Sequence, residues 1–155
     1  MKLFPMSPED YKFWSERSRI AFASDKQRAE RLSHEAAETL AREGLARLLP
    51  QGRQTPDHHF YVARDEAQNL LGFLWLAIRN DSGERRAFVY DIIIEEAHRG
   101  RGHGRSLMLL AEAETKRLGF DHLGLHVFGF NHAAIALYRS LGYATIDMVM
   151  EKPLS

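Results

Sequence analysis

Three glycines alternate with basic residues in "HRGRGHGRS", residues 98–106, where Arg99, Arg101, His103 and Arg105 flank Gly100, Gly102 and Gly104. Glycine permits left-handed backbone and close approach of another group to the main chain. A helix beginning inside this stretch aims its unpaired N–H groups and the positive end of its dipole at whatever sits there. Arginine adds charge-assisted bonds to phosphate oxygens. The pattern reads as an anion cradle suited to a pyrophosphate. A Walker loop would need a Gly-Lys pair, which the chain lacks. The dinucleotide loop needs G-x-G-x-x-G, whereas the spacing here is G-x-G-x-G, late in the chain. A merely solvated Gly/Arg turn is the alternative, and a second pattern decides against it.

That pattern is "NHAAIALYRSLGY", residues 131–143. Asn131 is suited to capping a helix. Tyr138 follows two turns later, about 10 Å along nearly the same face, and Gly142 and Tyr143 mark the exit. One extended ligand could touch both Asn131 and Tyr138. In this ordered pair of motifs the sequence resembles the GNAT superfamily of GCN5-related N-acetyltransferases. Arg99, Gly102 and Gly104 match the family's R/Q-x-x-G-x-G/A loop. Asn131, Ala134, Tyr138, Gly142 and Tyr143 match its N-x-x-A-x-x-x-Y-x-x-x-G-F/Y helix. The likeness is close over residues 85–150 and rests mainly on element order before them.

The resemblance implies acetyl-CoA as acetyl donor, lying in a V-shaped gap between two splayed parallel strands, "YDIII" and "LHVF". The backbone of Ile92, Ile93 and Ile94 would pair with the pantetheine arm as an added strand does. Arg99, Gly100, Arg101, Gly102, His103, Gly104 and Arg105 would hold the pyrophosphate. Asn131 would contact the pantetheine, order the last helix, or both. Tyr138 would stand near the thioester sulfur and protonate the departing thiolate, since a phenol with an ordinary pKa near 10 keeps its proton at neutral pH. Packing of the helix on the sheet is the plain alternative for this residue. An amine attacking directly needs no covalent enzyme intermediate, and the chain has no cysteine.

The ammonium form of the amine must lose a proton before it attacks. Asp91 and Glu95 fall in or just beyond the strand that lines the cleft. Asp91 ranks first because its apolar neighbours would raise its pKa; a purely structural bond to a neighbour is equally consistent with its position. The acceptor is read as a primary amine on a small molecule or a peptide, with the two N-terminal helices and "LLPQGRQTPDHHF" as its wall. A non-catalytic acetyl-CoA-binding module is the competing class, although binding alone does not require a proton donor at Tyr138. Homodimers are frequent among acetyltransferases of this kind.

The elements that must position these groups follow from patterning. "SPEDYKFW" starts a helix, with Ser7 as cap and Pro8 in the first turn, expected to run to about Ala23. A second amphipathic helix closes at Pro50. "HFYVA" and "LLGFLWLAI" form a hairpin, "RAFVYDIII" a buried strand, residues 104–118 a helix, "HLGLHVF" a strand, residues 131–142 a helix and "YATIDMVMEK" a last strand. The class is α/β, one domain over residues 1–155. With the resemblance it becomes a mixed, mostly antiparallel sheet with helices on both faces and a splayed parallel pair. Trp14, Phe60, Phe73 and Trp75 are expected in the core. Basic and acidic residues balance at 21 each, which gives no reason to expect nucleic acid or a membrane as partner. No apolar run reaches the roughly 20 residues of a spanning helix. A cytoplasmic location fits the absence of cysteine. His58, His59, His122 and His126 lack a convincing third ligand, so no metal is expected.

Overall fold

Strand β3, Leu70–Asp81, is the centre of the molecule and is buried almost without interruption from Leu71 to Ile78. Such a run belongs to a strand covered on both faces. Alternate residues point to opposite sides, and two cores result. Leu74, Leu76 and Ile78 pack with Leu107 and Ala111 of helix α3, His103–Arg117. Phe73 and Trp75 pack with Trp14 of helix α1, Pro8–Glu30. The computed structural model describes all 155 residues.

The sheet order is β1-β2-β3-β4-β5, with β1 at Lys2–Pro5, β2 at His58–Arg64, β4 at Glu84–Ile94 and β5 at Leu123–Leu125. The first four strands pair antiparallel, and β5 lies parallel to β4. Helix α2, His34–Leu48, packs on α1, while α4, His132–Ser140, follows β5. This is the expected α/β class, with helices on both faces. Trp14, Phe60, Phe73 and Trp75 are all buried, as their types suggest.

Four details differ from the sequence reading. The strand expected over "HLGLHVF" is confined to Leu123–Leu125, and residues 126–128 continue beyond it without strand pairing. Helix α1 continues past Ala23 because Lys26, Gln27, Arg28 and Glu30 are good helix formers, and Lys26 pairs with Glu30 at 2.6 Å across one turn. It ends where Arg31 turns left-handed at φ 55°, and Ser33 caps α2 by accepting from the Ala36 N–H. Strand β1 was not anticipated, since four residues ending in proline carry little periodic signal. The stretch "YATIDMVMEK" forms no strand, and its residues 144–152 lie exposed.

Gly72 is where β3 and β4 approach most closely: a Cβ there would overlap the Ile93 carbonyl. Gly72→Ala should therefore force the two strands apart, costing about 3 kcal/mol and lowering Tm by about 6–12 °C in a thermal melt. An unchanged Tm would show that the contact relaxes freely.

Candidate active site

The basic loop is a ring of unsatisfied donors. Gly100 and Gly102 have φ of 74° and 81°, conformations that disfavour side chains. Gly102 caps α3 with no side-chain bond, and the first helical bond runs from the Ser106 N–H to the Gly102 carbonyl. The N–H groups of residues 100–105 thus have neither a helical nor a side-chain acceptor. Six consecutive donors at a helix start form the site that an anion satisfies. The arginines divide their labour. Arg99 Nε donates to the Ile94 carbonyl at 2.9 Å and ties the loop to the end of β4. Arg105 donates to Ser140 Oγ at 2.6 Å, joining α3 to α4. Arg101 is exposed and has no protein partner. Gly104 serves packing as well, because a Cβ there would come within 3.3 Å of Leu137 on α4.

Beside the loop, β4 and β5 part. They pair at Ala87 with Leu123, Phe88 with Gly124 and Val89 with Leu125, and no further. On the other edge of β4 the register with β3 slips: Trp75 faces Asp91 while Leu76 faces Val89, so Tyr90 is an extra residue. A bulge bends and twists its strand, and here it falls where the parallel pairing stops. The β4 edge that faces β5 is consequently unpaired along Ile92, Ile93 and Ile94. A cavity of about 360 Å³ occupies the divergence, with Asp91, Ile92, Leu125, His126, Asn131 and Tyr138 among its lining residues. Asn131 Oδ1 accepts from the Ala134 N–H at 3.3 Å, so it does cap α4. The Tyr138 hydroxyl makes no bond to the protein. Burial, and then the charge of Asp91, raise its pKa.

Asp91 is held by α1. Its Oδ2 accepts from Trp14 Nε1 at 2.9 Å and from Ser18 Oγ at 2.8 Å. Burial raises its pKa, against the pull of those two bonds. Its structural partners are therefore an indole and a hydroxyl, not an arginine. Glu95 is engaged elsewhere, paired with Arg17 at 2.7 Å. Asp25, one helical stretch beyond Ser18, also lines the cavity, and burial raises its carboxyl while Arg28 opposes the rise. His126 is pushed down by burial and by Lys26, which keeps it neutral at pH 7. His58 accepts from Trp75 Nε1 at 2.9 Å and is thus part of the aromatic packing.

With its folded pKa above the unfolded value, Asp91 keeps its proton in the native state, at pH values between the two, where the unfolded chain has already lost it. Its contribution to stability therefore falls as pH rises between the two values and stays at its lowest above them. Asp91→Asn keeps an oxygen for Trp14 and Ser18. It should raise Tm at pH 7–8 by about 2–4 °C per kcal/mol recovered, with about 1.4 kcal/mol for each tenfold weakening of the acid. Near pH 3.5 the two proteins should melt together. An equal difference at both pH values would show that the charge is not the cause.

The loop meets α4 through the Arg105–Ser140 bond and the close approach of Gly104 to Leu137, while Asn131 and Tyr138 line the cavity with Asp91 and Ile92; residues 98–106, Ile93 and Ile94 lie outside its lining. Trp14, Ser18 and Asp25 were missed as site residues. The bonds of Trp14 and Ser18 to Asp91 span more than 70 positions, Asp25 shares the cavity with Asp91, and only the spacing of Trp14, Ser18 and Asp25 on one α1 face hinted at a shared direction.

This combination of mixed sheet, bulged β4, parallel divergence and glycine loop defines an acyltransferase architecture. Residues 12–143 match the acetyltransferase (GNAT) family model. The uncharacterized N-acetyltransferase YycN of Bacillus subtilis (strain 168) is 30% identical over 152 residues, covering 98% of this chain and 97% of that one. A crystal structure of YycN superposes with a TM-score of 0.94 at 29% identity, over 99% of this chain and 98% of that one. The streptothricin acetyltransferase of Streptomyces lavendulae is 35% identical over 88 residues, 57% of this chain and 46% of that one. The chain belongs to the GNAT family and is an N-acetyltransferase. No helix is long and apolar enough to cross a membrane.

Proposed function

We propose that this protein transfers the acetyl group of acetyl-CoA to the primary amine of a cationic, partly apolar acceptor in the cytoplasm, with Tyr138 as general acid and Asp91 as general base. The observation that carries the reading is the unpaired β4 edge lying between a loop of six free N–H groups and an unbonded tyrosine hydroxyl. Residues 100–105 suit the pyrophosphate, Ile92 and Ile93 the pantetheine, and Asn131 the arm near its reactive end. The Ile94 carbonyl is already taken by Arg99.

When bound, acetyl-CoA supplies a thioester whose carbonyl the amine attacks. Asp91, its basicity raised by burial, accepts the proton that the ammonium must lose. A backbone N–H of the open β4 edge donates to the oxygen as negative charge develops there. Tyr138 would then protonate the sulfur as the C–S bond breaks, and the second proton, which the nitrogen sheds in becoming an amide, would restore the tyrosine hydroxyl. The products are an N-acetyl amine and free CoA thiol.

Asp25 and Asp91 give a largely apolar cavity two carboxylates, which favours an acceptor that arrives positively charged. Asp25→Asn should raise KM for cationic amines by about 10-fold, the loss of one charge-assisted contact, with kcat little changed and acetyl-CoA affinity preserved. Initial rates on amines of matched size and differing charge measure this. Equal KM values in the two proteins would remove Asp25 from acceptor binding.

A further inference from the structure

The polarity of the cavity is divided by element. Its charged side chains come from α1 and β4, with Asp25 and Asp91 as the carboxylates, whereas helix α2 contributes Ala41, Gly44, Leu45 and Leu48. These four stand at i, i+3, i+4 and i+7 and share one face of the helix. None of them carries a charge or a hydrogen-bonding side chain. Arg19, the cation on the cavity, is already paired with Glu38 of α2 at 2.9 Å. Leu48 and Phe22, both on the cavity, are among the large apolar side chains left exposed. The α2 wall is thus suited to hydrocarbon and to nothing that needs a polar partner.

Gly44 is the position on that wall for which the fold gives no reason. It lies inside α2, a full turn before the helix ends at Leu48, where glycine is the least favourable residue apart from proline. A glycine kept inside an element usually serves a left-handed backbone or the close approach of a neighbour. Gly44 serves neither. Its φ is not among the positive ones, and a Cβ built on it would meet no atom within 4 Å. What lies beside it is the cavity. A side chain at this position would project into that space, and a long one would take a substantial part of the volume of about 360 Å³. The absence of a side chain keeps the α2 end open.

We infer that Gly44 sets the room for the acceptor, and that the acceptor is a primary alkylamine whose ammonium lies by Asp25 and Asp91 while its hydrocarbon tail runs along the α2 wall. The inference rests on acetyl transfer taking place in this cavity, as proposed above, and it narrows the acceptor class. A tail with a second ammonium or several hydroxyls would set polar groups against Ala41, Gly44, Leu45 and Leu48, which offer no side-chain partner, and a polar group removed from water without a partner is costly. A hydrocarbon tail gains at the same place by leaving water.

The experiment measures kcat/KM for straight-chain primary amines from ethylamine to octylamine, with hexylamine set against 1,6-diaminohexane, in wild type, Gly44→Ala and Gly44→Leu. Calorimetry of ethylamine and hexylamine in the presence of CoA reads binding without turnover. In wild type kcat/KM should rise about fourfold with each added methylene until the cavity is full, the gain from burying that group. Hexylamine should exceed the diamine by at least about 10-fold. Gly44→Leu should cut the preference for hexylamine over ethylamine by at least about 30-fold, the loss of two to three buried methylenes, with Gly44→Ala between. Alanine and leucine are better helix formers than glycine, so Tm in both variants should equal or exceed that of wild type, which separates narrowing of the cavity from damage to the fold. Values independent of tail length, a preference for the diamine, or an unchanged hexylamine preference in Gly44→Leu would each overturn the inference. Amines that bind with this dependence on length and on Gly44 but are never acetylated would overturn the proposed acceptor chemistry and uphold the α2 wall as the surface that binds them.

Discussion

Tyr138→Phe should lower kcat by about 100- to 1,000-fold, within the range that a positioned general acid contributes, while the Kd for acetyl-CoA changes by less than about threefold. Phenylalanine preserves the ring that packs 6.0 Å from Tyr143 and removes only the hydroxyl, which bonds to nothing in the protein. Packing and proton donation are thereby separated. A role confined to packing leaves kcat almost untouched. The pH profile adds a check, because burial and the Asp91 charge both raise the Tyr138 pKa. The residue keeps its proton past pH 10, so wild-type kcat should show no loss from Tyr138 ionisation below that value. A basic limb near pH 8 would assign the acid to a different group.

The second large effect belongs to the loop. Gly102→Val should weaken acetyl-CoA binding by at least about 100-fold in titration calorimetry, equivalent to losing two bonds to a charged ligand. The cause is conformational: no atom lies within 4 Å of a Cβ at Gly102, but its φ is 81°, and a β-branched residue is strongly disfavoured there. Relaxing that strain turns the donors of residues 100–105 away from a common point. Gly104→Val acts differently, by pushing on Leu137 and so on α4. Unchanged affinity in both variants would remove this loop from the cofactor site.

The two clusters of local signal, glycines with arginines and Asn131 with Tyr138, were readable because each motif is short and lies at a helix start. The sheet was readable where runs were long, as in "LLGFLWLAI". The splay was not visible in "RAFVYDIII", which reads as one uninterrupted strand; the bulge at Tyr90 depends on how β3 pairs with it. The structural partners of Asp91 were equally hidden, since Trp14 and Ser18 reach it only after α1 docks on the sheet. "YATIDMVMEK" alternates as a strand does, but the chain forms no strand there and residues 144–152 lie exposed, because an alternating pattern does not by itself supply a paired edge.

The most direct test of the account is product analysis with wild-type protein, acetyl-CoA and a panel of cationic and neutral amines and peptides. The account predicts equimolar CoA thiol and N-acetyl product for at least one cationic amine, with the rate collapsing in Tyr138→Phe. Saturable acetyl-CoA binding with no turnover of any amine or peptide would contradict it and mark the protein as a binding module.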